Sequence, residues 1–102
     1  MDAIFLNEIK SFIDGEGRLT AIPAKRKRQL YALLYIAEKL PKGMVWNEKE
    51  LNARLGLYHT FGDPAWIRRE LVELGYLSRD AYCTRYEVTG DIAALEALIA
   101  GI

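Results

Sequence analysis

Cysteine, histidine and proline are scarce in this chain. Of 102 residues, one is cysteine (Cys83), one is histidine (His59) and three are proline. A lone cysteine excludes an intrachain disulfide and a thiolate zinc cluster, and a lone histidine leaves a poor ligand set for a transition metal. No apolar run approaches the roughly 18 uninterrupted residues of a membrane-spanning helix, so no membrane partner is expected. The first residues, Met1-Asp2-Ala3-Ile4-Phe5, have no basic segment ahead of an apolar one, which makes the cytoplasm the expected location. An excess of either charge is lacking too. Fourteen Lys and Arg balance fourteen Asp and Glu, and a neutral total points to no class of partner. No glycine-rich phosphate loop, metal-ligand spacing or nucleophile-base motif is present, so neither an enzyme nor a cofactor is expected.

What remains is the composition of one globular domain, 51% hydrophobic and 27% charged. Asp2 to Ile13 has Ile4, Phe5, Ile9, Phe12 and Ile13 at helical spacing, with Asp2 as cap and Asp14-Gly15-Glu16-Gly17 as stop. Leu19 to Pro23 reads as extended. A longer helix is predicted from about Ala24 to Leu40, with Leu30, Leu33, Leu34, Ala37 and Leu40 as its buried stripe and Tyr31 and Tyr35 on a flank. Met44-Val45-Trp46 suits a very short strand, and Asn47 with Glu50 has capping-box spacing for a third helix that buries Leu51 and Leu55. Asp63-Pro64 is the sharpest start signal, for a helix over about 64–74 that buries Ile67, Leu71 and Leu74. Residues 76–79 and 84–88 alternate as strands joined through Asp80 to Cys83, and Thr89 or Asp91 caps a last helix with Ile92, Leu95, Leu98 and Ile99 on one face.

This order predicts an α+β, mostly helical domain: a winged helix-turn-helix core over 24–88, with extra helices over 1–14 and 89–102. The helix at 64–74 takes the recognition position and the hairpin takes the wing. From about Phe12 to Val88 the chain also resembles the bacterial family called domain of unknown function 2087. The likeness is carried by Asp14-Gly15-Glu16-Gly17-Arg18-Leu19, Ile22-Pro23-Ala24-Lys25-Arg26-Lys27-Arg28 and Trp46-Asn47-Glu48-Lys49-Glu50-Leu51-Asn52. It continues through 63–77, from Asp63-Pro64-Ala65-Trp66 to Gly75-Tyr76-Leu77, and ends at Arg85-Tyr86. Members of that family sometimes sit beside DNA-binding regulator domains, so the resemblance implies a transcriptional setting and a fold of this kind, with no activity attached. The sequence departs from the family pattern at Ala81-Tyr82-Cys83-Thr84, which replaces a polar, glycine-containing turn.

With Ile67 and Leu71 inward, the outer arc of the fourth helix holds Ala65, Arg69 and Val72, with Arg68 on one flank and Trp66 and Glu73 on the other. Arginine there can donate two hydrogen bonds to a guanine edge, and a small residue such as Ala65 permits close approach. The plainer alternative is a solvated face on which Arg68 and Arg69 pair with Glu70 or Glu73. Lys25, Arg26, Lys27 and Arg28 are the largest local charge bias: five basic residues and no acidic one lie between Arg18 and Arg28. Cations in a first turn oppose the helix dipole by roughly 0.3–1 kcal/mol each, so their presence suits a phosphate ligand. Neutralisation by Asp14, Glu16 or a partner is the alternative, as is an Arg26 stem laid along the core edge. Arg85, with Arg79, is placed to meet a DNA backbone beside the groove. Double-stranded DNA is therefore the expected partner. A protein-interaction or homodimerisation role through the amphipathic terminal helices is the alternative.

Overall fold

The computed structural model describes residues 2–102. Among these, about half are α-helical, in five helices: α1 (Ala3–Ile9), α2 (Arg26–Lys39), α3 (Glu48–Leu55), α4 (Pro64–Glu73) and α5 (Ile92–Ala100). A 3-10 turn, Lys10–Phe12, follows α1. Three short strands, β1 (Val45–Trp46), β2 (Leu77–Arg79) and β3 (Tyr86–Val88), pair antiparallel in the order β1-β3-β2. No helix is long and apolar enough to cross a membrane.

The helix starts follow from capping chemistry. Asp2, Asn47, Asp63 and Asp91 each accept a backbone N–H from the first turn that they open, and Asn47 with Glu50 forms the reciprocal box. Pro64 occupies the first turn of α4, where its missing N–H costs nothing. Among the five α-helices of the described residues, only α2 opens on a residue, Lys25, whose side chain caps nothing.

Helix α2 is the axis of the core. Its predicted stripe is buried, and so are Tyr31, Ala32 and Ile36. A single stripe underestimates this burial because α1, α4 and α5 pack against different sides of the helix. Tyr31, expected on a flank, is covered by Phe5 of α1, the rings stacking at 4.6 Å. Leu95 and Ile99 of α5 are buried as well. Helix α1 is shorter than the predicted 2–13: the chain tightens at Lys10 so that Ile13 can bridge to Leu19. Its Ile4, placed on the apolar stripe, is 70% exposed.

The segment before α2 is tied to the loop after α3. Leu19 is fully buried; its N–H donates to the Tyr58 carbonyl at 2.8 Å, and its carbonyl accepts the Thr60 N–H at 2.9 Å. Beside it, His59 is buried with both ring nitrogens engaged by backbone: Nδ1 lies 2.7 Å from the Leu55 carbonyl, and Nε2 accepts the Asp63 N–H at 3.2 Å. The imidazole thus clamps the end of α3 to the cap of α4, setting the turn between them.

Strands β2 and β3 are shorter than the alternation predicts. Asp80 draws the N–H groups of Thr84 and Arg85 to its carboxylate, so neither donates to the facing strand, and only the Arg85 carbonyl still pairs, accepting the Asp80 N–H at 3.2 Å. Cys83 adopts a left-handed φ of 57° there, the conformation that a glycine in the turn would supply. At the other end of the hairpin, Thr89 and Gly90 both donate to the Tyr76 carbonyl at 3.1 Å. A Cβ on Gly90 would lie 2.8 Å from the Gly75 carbonyl oxygen, so the approach requires glycine.

Candidate functional site

Helix α4 presents one face to solvent, and that face is centred on Arg69. At 100° per residue, Ala65 and Glu73 lie about 40° to either side of Arg69, and Val72 and Trp66 about 60° to either side. Arg69 and Glu73 are exposed, while Ala65, Trp66 and Val72 are half-buried. Trp66 is held edge-on against Phe61, ring centres 6.4 Å apart.

The two flanks of this face are anchored differently. On one side Glu70 accepts from Arg26 at 2.7 Å, joining the start of α2 to the middle of α4. On the other side Arg68 turns inward. Its guanidinium donates to the Asn52 side chain, reaches Glu48 at 3.1 Å, and lies over the Tyr86 ring at 5.7 Å. Arg68 is only 9% exposed. Arg68, expected on the helix flank as a DNA contact, ties α4 to α3 and β3. Asn52 and Glu48, which hold it, carry no local sequence signal, because their role depends on how α3 docks against α4.

The basic run at the start of α2 is also divided. The helix begins at Arg26 rather than Ala24, so Lys25 is the cap residue and Arg26 to Arg28 form the first turn. Arg26 is committed to Glu70 and Gln29, and Arg28 lies 3.4 Å from Glu8 of α1. The neutralising carboxylates are therefore Glu8 and Glu70; Asp14 and Glu16 are engaged with Arg18 instead. Among the described residues Lys25, Lys27, Arg69 and Arg85 make no ion pair. All four are exposed.

Facing α4 across a cleft is the β2–β3 hairpin. The cleft has a volume of about 360 Å³ and brings Arg68, Arg69, Val72 and Glu73 of α4 together with Arg79, Cys83 and Tyr86 of the hairpin and Glu48 of α3. The Arg79 guanidinium donates to the Cys83 thiol. Asp80 organises the turn: the hydroxyl of Thr84, then the N–H groups of Thr84 and Arg85 and the Arg85 charge, hold its carboxyl below the usual carboxylate range. Burial pushes the Tyr86 phenol up, with the Arg68 charge opposing. Sequence periodicity identifies Arg69, Arg79 and Arg85 one at a time; the cleft that relates the first two appears only when the hairpin folds back.

A short helix pair, closed on one side by a long helix and on the other by a three-stranded antiparallel sheet, defines a small α+β domain with a guanidinium-lined cleft. Residues 18–88 match the model of domain of unknown function 2087, described as an uncharacterised protein conserved in bacteria, and the chain belongs to that family. The matched segment runs from before α2 to the end of β3, leaving α1 and α5 outside. No curated protein and no solved structure matches the chain.

Proposed function

We propose that the chain is a winged-helix module that binds double-stranded DNA in the manner of a transcription regulator, with α4 as recognition helix and the β2–β3 hairpin as wing. The element order α2-β1-α3-α4-β2-β3 and the strand order β1-β3-β2 support the winged-helix assignment. The observation that carries the functional reading is the setting of Arg69: exposed, without an ion pair, at the centre of the outer face of α4, between the start of α2 and the hairpin.

In this reading Arg69 reaches base edges or phosphates and Ala65 allows the backbone of α4 to approach. Lys25 and Lys27 contact phosphates beside a helix start that no side chain caps. Arg79 and Arg85 support from the wing. Arg26, Arg28 and Arg68 position these elements rather than the DNA, and Trp66 braces α4 from the side. Glu70, Glu73, Asp80 and Glu87 oppose phosphate nearby, so binding is weak for one copy and rises when two copies share a site. The reading places the protein in the cytoplasm, acting as a binding module rather than an enzyme.

Titration of a mixed-sequence duplex from low to physiological salt tests it. Affinity is expected to fall steeply with salt. Lys25→Ala and Lys27→Ala should each flatten the log–log slope by about 1, and Arg69→Ala should weaken binding at every salt concentration. Affinity indifferent to salt, or to Arg69→Ala, overturns the proposal. A protein-interaction or homodimer reading has its own observation: Ile4, Leu6, Leu98 and Ile102 of the terminal segments are 42–70% exposed. It calls for a solution mass of two chains that survives high salt.

A further inference from the structure

We infer that the cleft between α4 and the β2–β3 hairpin binds a small organic carboxylate, with Arg69 and Arg79 gripping the carboxylate and Val72 covering its apolar body. The inference concerns the cleft alone and holds whether or not the domain meets DNA.

Three observations lead to it. First, the cleft's volume of about 360 Å³ falls within the range of small-molecule sites, roughly 300–1,000 Å³. Second, its guanidiniums are unequally satisfied. Arg68 is buried and held by Glu48 and Asn52, making a fixed wall. Arg69 has no ion pair, and Arg79 donates to a thiol, a weak acceptor. Two planar forks that line one cavity and make no ion pair among the described residues match a carboxylate ligand in charge and in donor type. Third, the lining is selective. Three arginines face two carboxylates, Glu48 and Glu73, leaving an excess of one positive charge. A monoanion neutralises that excess, whereas a phosphate dianion would overshoot it against Glu73. Half-buried Val72 gives the rest of such a ligand an apolar surface, above a floor where Arg68 lies over the Tyr86 ring.

Cys83 lines the same cleft and is the chain's one cysteine, so its alkylation reports on occupancy. Iodoacetate and iodoacetamide both transfer their carbon to sulfur: the C–S bond forms, iodide leaves and the thiol proton passes to buffer. They differ in that only iodoacetate carries a carboxylate. The ratio of their rates is expected to be roughly three- to tenfold higher in the folded protein than in the urea-unfolded chain, because neighbouring guanidiniums attract the charged reagent in a partly desolvated site. Arg69→Gln and Arg79→Gln, both at exposed positions, should each bring the ratio back toward the unfolded value.

Benzoate should slow labelling saturably and benzamide should not. By NMR, benzoate should shift the backbone amides of 68–73 and 79–86, an outcome independent of how reactive the thiol is. Equal ratios in folded and unfolded chains overturn the inference. So do benzoate-induced shifts confined to the start of α2, or absent altogether.

Discussion

The guanidinium of Arg68 touches Asn52, Glu48 and Tyr86, while that of the next residue, Arg69, makes no ion pair. One step along a helix turns a side chain by about 100°, enough to move it from the α3–hairpin contact to open solvent. The two substitutions are therefore expected to separate. Arg68→Ala strands Glu48 and Asn52 and removes the contact over Tyr86, costing about 1–3 kcal/mol of folding stability. Arg69→Ala should stay within roughly 0.5 kcal/mol of the parent, as at other exposed positions. Urea denaturation of the two variants checks this, and equal midpoints would remove Arg68 from its structural role. His59 shows the same division of labour. Its sequence setting, beside Tyr58 and near Phe61, suggests a partly buried loop residue; it is buried further than that, because each ring nitrogen is used by backbone.

At the scale of elements, the hairpin is the part most dependent on one carboxylate. Asp80 accepts the Thr84 N–H at 2.7 Å and the Arg85 N–H at 3.2 Å, along with the Thr84 hydroxyl, and these hold its folded pKa below the ordinary value. A depressed acid contributes stability in full above its unfolded pKa, about 3.9 for aspartate, and loses it as pH falls through the lower folded value. The Thr84 and Arg85 amide resonances are thus expected to titrate with a midpoint below that of a free aspartate, the turn loosening as they do. A midpoint at or above the ordinary value would mean that the carboxylate does not organise the turn. Asp80→Asn, which keeps an acceptor and loses the charge, should remove that acid transition. The sequence places the two strands and their link here, but it overestimates their length, because pairing within the turn competes with the ladder.

For the whole molecule, the segment shared with the family is wrapped by two helices outside it. Phe5 stacks on Tyr31, Leu95 and Ile99 are buried in the core, and the Asp2 N–H donates to Glu96 at 3.2 Å, tying α1 to α5. Ending the chain at Gly90 would uncover the side of α2 that α5 covers and remove two buried aliphatic side chains. Each contributes about 1.5–3 kcal/mol, a large share of the roughly 5–15 kcal/mol stability usual for a domain. The shortened chain is expected to lose its cooperative thermal transition or to melt far below the parent, as followed by circular dichroism. An unchanged melting curve would show that α2 needs no such cover.

Local rules account for what the sequence by itself determines: the caps Asp2, Asn47 and Asp63, the helix at Pro64, the buried Ile67 and Leu71, and the existence of the hairpin. Each depends on neighbours within a turn or two of chain, so spacing alone reveals it. The tertiary structure decides which cations are free. Arg26 finds Glu70 across 44 residues, Arg28 finds Glu8 across 20, and Arg68 finds Glu48 across 20 in another helix. The cleft between α4 and the hairpin is decided the same way. An ion pair or a cavity wall is a relation between elements, set by how their apolar faces dock, and periodicity along one element does not carry it.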